Sequence, residues 1–114
     1  MKRRSKLFVS DILENMRLAE NIVADIDFET FVLLQEKHYT VIRCIEIIGE
    51  AVKNLPPELR RKYPDIPWKE MAGMRDTVIH FYMGVDYGIV WNTIKNEYPV
   101  VRPRIERIFG ELEE

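Results

Sequence analysis

Between Trp68 and Tyr82 the chain sets Arg75, Asp76, His80 and Tyr82 within eight positions. These are side chains that handle phosphate esters. An arginine is a permanent planar cation able to meet a phosphate with two parallel N–H bonds. A histidine exchanges protons near neutral pH. A carboxylate beside them, here Asp76, can hold either one in place. Cutting RNA without a metal asks for this set: the 2′-hydroxyl must be activated or positioned, the charge gathering on phosphorus neutralised, and the leaving oxygen protonated. An arbitrary arginine and histidine on one helix more often end as a surface pair than as catalysts, so the cluster does not settle the matter alone.

The element that must position these residues reads as a helix entered at Pro67, which suits a first helical position, and stopped by Gly84 after Met83. In an ideal helix turning about 100° per residue, Arg75 and Tyr82 would be nearly eclipsed, while Arg75 and His80 would diverge by roughly 140°. One straight helix would not aim both at one phosphate. Either the helix loosens near Gly84, or two copies of the chain pair so that residues from both converge on a substrate. The second is the favoured reading. His80 would then sit in the last helical turn, where the helix dipole favours its protonated form.

The remaining elements are helical too. Ser10 or Asp11 can cap a first helix in which Ile12, Met16, Ala19, Ile22 or Val23, and Ile26 recur at three-to-four-residue spacing. Asp27 or Thr30 can cap a second, longer one whose apolar period runs from His38 to Leu55 before Pro56 and Pro57 stop it. A short turn from Glu58 to Tyr63 follows. Asp86 can cap a further helix through Ile89, Val90, Thr93 and Ile94, with Pro99 and Pro103 kinking or dividing the last segment. No segment carries a sustained strand pattern or a hairpin signal. The fold class is an all-α, up-and-down helical bundle with a kinked C-terminal helix, in one domain covering residues 1–114.

Composition bounds the function. Lys and Arg number 17 against 19 Asp and Glu, a formal net charge of −2, so an RNA site has to be a local patch. Basic residues crowd the start (Lys2, Arg3, Arg4, Lys6), Arg60 to Lys62, and Arg102 to Arg107; solvated helix surface is the ordinary use of such runs. Cys44, the only cysteine, lies in an apolar stretch and reads as a small buried hydrophobe. The apolar run after the basic start is too short for a secretion signal, and no run reaches membrane-spanning length, which points to a cytoplasmic protein with no membrane partner.

Other residues invite milder readings. His38 follows the apolar period and reads as a core or interface residue. Arg43, Glu46 and Glu50 form a salt-bridged stripe. Trp68, Tyr63 and Trp91 could stack bases but more often pack. The scattered glycines form no phosphate loop, and no His or Cys spacing marks a metal site, so neither cofactor nor metal is expected.

Three ordered blocks carry a family likeness: Ile47-Ile48-Gly49-Glu50-Ala51-Val52-Lys53-Asn54, Tyr63-Pro64-Asp65-Ile66-Pro67-Trp68, and Gly73-Met74-Arg75-Asp76-Thr77-Val78-Ile79-His80-Phe81-Tyr82. Through them the chain resembles the HepT-like toxins of the HEPN superfamily, from about Ile12 to the last helix. The resemblance implies a HEPN-type bundle that forms a homodimer with two motif helices facing one cleft, and metal-independent RNA cleavage. It implies Arg75 and His80 as catalytic residues, Asp76 at the supporting polar position, and Tyr82 as a regulatory tyrosine. It also implies a partner, a minimal nucleotidyltransferase antitoxin that transfers AMP to that tyrosine. Many relatives carry Asn where this chain has Asp76, a carboxylate that can draw Arg75 away from phosphate or orient His80.

The leading reading is therefore a ribonuclease toxin subunit with RNA as substrate. The alternative is a non-catalytic scaffold or nucleotide-positioning partner of a nucleotidyltransferase. A third reading makes the motif helix a structural dimer interface, with Arg75 and Asp76 paired across it.

Overall fold

A computed structural model describes residues 2–80 and 84–112, without the side chains of Lys2, Arg3 and His80. The acidic end at Glu113 and Glu114 lies outside the described residues, as does Tyr82. Among the described residues there are seven α-helices: α1 (Lys2–Val23), α2 (Phe28–Leu33), α3 (Gln35–Lys53), α4 (Pro57–Lys62), α5 (Trp68–Val78), α6 (Tyr87–Asn92) and α7 (Tyr98–Glu111). The all-α class is what the structure shows. Its single extended feature among the described residues is a two-residue antiparallel pairing, β1 (Ile79–His80) with β2 (Gly84–Val85).

The apolar stripes build the core. On α1, Val9, Ile12, Leu13, Met16, Ala19 and Val23 are all buried, the spacing of one helical face. That face extends back through the buried Ser5, so α1 begins well before the expected caps at Ser10 or Asp11. On α3 the buried face is Val41, Cys44, Ile45, Ile48, Gly49 and Val52. α1 packs along α3, α3 along α5, and α7 against α1. Among the described residues no helix is long and apolar enough to cross a membrane.

The expected second helix is two. Asp27 caps α2 by accepting the Thr30 N–H at 2.8 Å, but the helix breaks at Leu34, whose ψ of 95° is extended. Neither Pro nor Gly causes the break. The turn swings Phe31 beneath the His38 and Trp91 rings, at centroid distances of 6.2 and 5.3 Å, so tertiary packing overrides local propensity. At the other end, a π-helical turn over Thr93–Glu97 joins α6 to α7. Pro99 cannot donate to the Lys95 carbonyl and crowds it, and the wider turn relieves that conflict. Pro103 lies inside α7.

Candidate active site

The site begins with a glycine. A Cβ built on Gly49 would lie 3.1 Å from the Ala72 carbonyl oxygen and 3.3 Å from that of Met71. A residue without a side chain lets α3 and α5 approach this closely without a crowded contact. One helical turn before Gly49, on α3, is Glu46. One turn after Ala72, on α5, is Arg75. The close approach therefore joins them: Arg75 Nε donates to Glu46 Oε2 at 2.9 Å. Glu46 also meets Arg43 from its own helix at 3.4 Å, so the expected Arg43–Glu46 stripe is present and extends to the motif arginine.

Arg75 itself is open. Its side chain is 56% exposed, and no described residue reaches Nη2 within hydrogen-bonding distance. Asp76 Oδ1 stands 3.7 Å from Nη1, beyond hydrogen-bond length, and the Asp76 side chain is 87% exposed. The residue that holds Arg75 is thus Glu46 rather than its sequence neighbour. With Nε occupied, the Nη1/Nη2 edge is left to face a ligand, and that edge can meet two phosphate oxygens at once. Arg75 lines an open groove of about 410 Å³ together with Asp11, Arg43, Glu46, Glu50 and Lys53. Among the described residues no His, Cys, Asp and Glu side chains gather into a group that would hold a metal ion.

The motif helix ends earlier than expected. α5 stops at Val78, and Ile79, with φ −105° and ψ 113°, is already extended, its N–H closing on the Arg75 carbonyl. The cause is local: Thr77, Val78 and Ile79 are three successive β-branched residues, which disfavour helix and favour extended chain. Ile79 pairs with Val85 and His80 with Gly84, Gly84 taking a φ of +84° that suits glycine alone. Asp86 then donates its N–H to the Val78 carbonyl at 2.6 Å, and its side chain caps α6 by accepting from the Ile89 N–H.

Three expectations change accordingly. His80 is on β1 rather than in the last helical turn, so the dipole argument does not apply to it. The angular relation expected between Arg75 and His80 does not apply either, because the helix that would set it ends at Val78. The helix stop expected at Gly84 falls instead at Val78. The His80 side chain and Tyr82 lie outside the described residues.

The milder readings fare as follows. Cys44 is buried, and burial pushes its thiol up. His38 is 5% exposed, stacked edge-on against Phe31, Tyr39 and Tyr87. Trp68 is buried and donates Nε1–H to the Tyr63 carbonyl; Trp91 packs on Phe28 and Phe31. The Tyr63 hydroxyl donates to Glu111, which pushes its pKa up to about 12. These aromatics pack rather than present open faces. The sequence reading missed Glu46 as the partner of Arg75. Its available signal was the run Arg43, Glu46, Gly49 and Glu50 on one helical face.

Such an arrangement defines an α-helical bundle with an arginine presented at the mouth of an open groove. The description "Ribonuclease HepT-like" belongs to the family whose model matches residues 12–108, and the chain belongs to that family. It is 50% identical over 113 residues to a Methanocaldococcus jannaschii protein named "Putative RNase MJ0125", covering 99% of this chain and 97% of that one. It is 44% identical over 108 residues to "Probable ribonuclease HepT" of Thermococcus cleftensis, covering 95% and 98%. No solved structure matches the chain.

Proposed function

We propose that the protein is a cytoplasmic, metal-independent endoribonuclease, the toxin subunit of a pair with a minimal nucleotidyltransferase antitoxin. The observation that carries the chemical part is the exposed Nη1/Nη2 edge of Arg75, which makes no hydrogen bond among the described residues while Glu46 holds Nε beside an open groove. Membership of the HepT-like ribonuclease family supports RNA as the substrate.

In this reading Arg75 clamps the scissile phosphate and offsets its growing negative charge. The 2′-hydroxyl gives its proton to a solvent water as its oxygen bonds to phosphorus, the bond to the 5′-oxygen breaks, and protonated His80 delivers a proton to that departing oxygen. Two copies face one another, so that Arg75 and His80 of both serve one cleft. Asp76 supports the pair from the surface. Tyr82 is the regulatory residue: its oxygen attacks the α-phosphate of ATP on the partner enzyme, pyrophosphate leaves, and the AMP added brings bulk and negative charge that repel an RNA phosphate from Arg75.

The test is cleavage of total cellular RNA in excess EDTA by purified protein, beside Arg75→Ala and His80→Ala, with the mass at Tyr82 recorded. Unmodified wild type cleaves, and both folded variants lose about 10²-fold or more in rate. No cleavage of any RNA by folded, unmodified wild type would overturn the proposal and favour a scaffold for the nucleotidyltransferase.

A further inference from the structure

A second groove, of about 580 Å³, continues the first. Phe8, Lys53 and Asn54 line both, so one furrow follows the C-terminal half of α3 from Arg75 at one end to Arg60 at the other. The eight helical steps from Glu46 to Asn54 alone span about 12 Å, more than one phosphate occupies.

Charge changes along the furrow. Near Arg75 the cations face Asp11, Glu46 and Glu50. Farther along, Arg4, Lys53 and Arg60 face Glu58 as the sole carboxylate of the lining. Arg17, Arg43, Arg75, Arg102 and Arg104 each lie within 4.0 Å of a carboxylate. Among the described residues, Arg4, Lys53 and Arg60 make no such pair. On a chain of net charge −2, an uncompensated cationic stretch opening from the Arg75 groove marks a place for a polyanion.

We propose that Arg4, Lys53 and Arg60 bind backbone phosphates of the same single-stranded RNA whose scissile phosphate is held at Arg75. This assignment rests on the ribonuclease reading and adds to it a path for the strand. Recognition through phosphates makes binding indifferent to base sequence and strongly dependent on salt.

Anisotropy of a short labelled single-stranded RNA, titrated with the Arg75→Ala protein in EDTA over a series of salt concentrations, tests the path. Arg4 and Lys53 are exposed, so Arg4→Gln combined with Lys53→Gln leaves the fold intact, and a melting curve on each sample verifies it. The control pair, Arg61→Gln with Lys62→Gln, removes equal charge from exposed positions outside the furrow. Removing one cation from a bound phosphate lowers the slope of log affinity against log salt by about 0.7, so the furrow pair lowers it by about 1.4. The control pair leaves the slope near its starting value. Equal losses in the two pairs, or unchanged slope and affinity in the furrow pair, would overturn the assignment; the second result would turn attention to an acidic protein as occupant. Cleavage is not read, so an inactive enzyme leaves this test intact, and failure here leaves the ribonuclease reading standing.

Discussion

Arg75 and Arg102 are the same side chain in two different employments. Arg102, on α7, gives Nε to Glu20 Oε1 at 2.6 Å and Nη1 to Glu106 Oε2 at 3.0 Å, with Nη2 3.4 Å from Glu20 Oε2. Its side chain is 27% exposed and that of Glu20 18%. Every arm of the guanidinium is occupied, and the result ties α7 to α1. Arg17 and then Arg102 hold the Glu106 carboxyl below the ordinary carboxylate range. Arg75 has one firm bond, to Glu46, and twice the exposure. A saturated, half-buried arginine ties elements of a fold together; one bonded only at Nε keeps an exposed Nη edge with the geometry to meet a phosphate.

Removing Arg102 is the stronger perturbation of the fold. Arg102→Ala leaves the poorly exposed Glu20 without its cation, and a loss of about 2 kcal/mol is expected from charge-assisted bonds of this kind, roughly 10 °C in Tm for a domain of this size. Thermal melts of Arg102→Ala and Arg75→Ala side by side check the contrast. Arg75→Ala should stay within about 1 kcal/mol of wild type, as exposed ion pairs do.

Gly49→Ala sharpens the comparison from the other side, because it attacks what brings Glu46 and Arg75 together. With carbonyl oxygens at 3.1 and 3.3 Å from the new methyl, α3 and α5 have to shift apart by a few tenths of an ångström, a strain set against the better helix propensity of alanine. The variant should lose ribonuclease rate beyond what its melting curve accounts for, whereas Arg102→Ala, assayed well below its Tm, should not.

The smallest effect concerns pH. Burial lowers the pKa of His38 from its ordinary 6.5, so the unfolded chain takes up a proton before the folded one does. The stability this neutral histidine contributes is complete above pH 6.5 and is lost as pH falls from there through the lower folded value. Tm measured from pH 8 down to pH 5 should decline by less in His38→Phe than in wild type. Equal declines would remove His38 as the cause.

Much of the bundle was legible because helical periodicity and caps are local. The Ile12 to Val23 stripe, the stop at Pro56 and Pro57, the Asp86 cap and the buried Cys44 all follow from neighbours within a turn or two. The break at Leu34 was not legible, because its cause is the docking of Phe31 under rings from other elements. The end of α5 was legible in principle. Thr77, Val78 and Ile79 carry the signal, and their β-branching ends the helix before the stop that Gly84 offers is reached. Arg75 stood out by chemistry alone. Its partner Glu46 lies 29 positions away, a pairing set by the Gly49 crossing that no spacing rule reaches.

The most direct test of the central claim is the single-turnover rate of cleavage of one defined RNA in EDTA, measured for wild type, Arg75→Ala and Arg102→Ala at a temperature where all three are folded. The account predicts a wild-type rate retained by Arg102→Ala and cut about 10²-fold or more in Arg75→Ala. Equal rates for Arg75→Ala and wild type would contradict it, since the arginine at the groove would then have no part in the reaction.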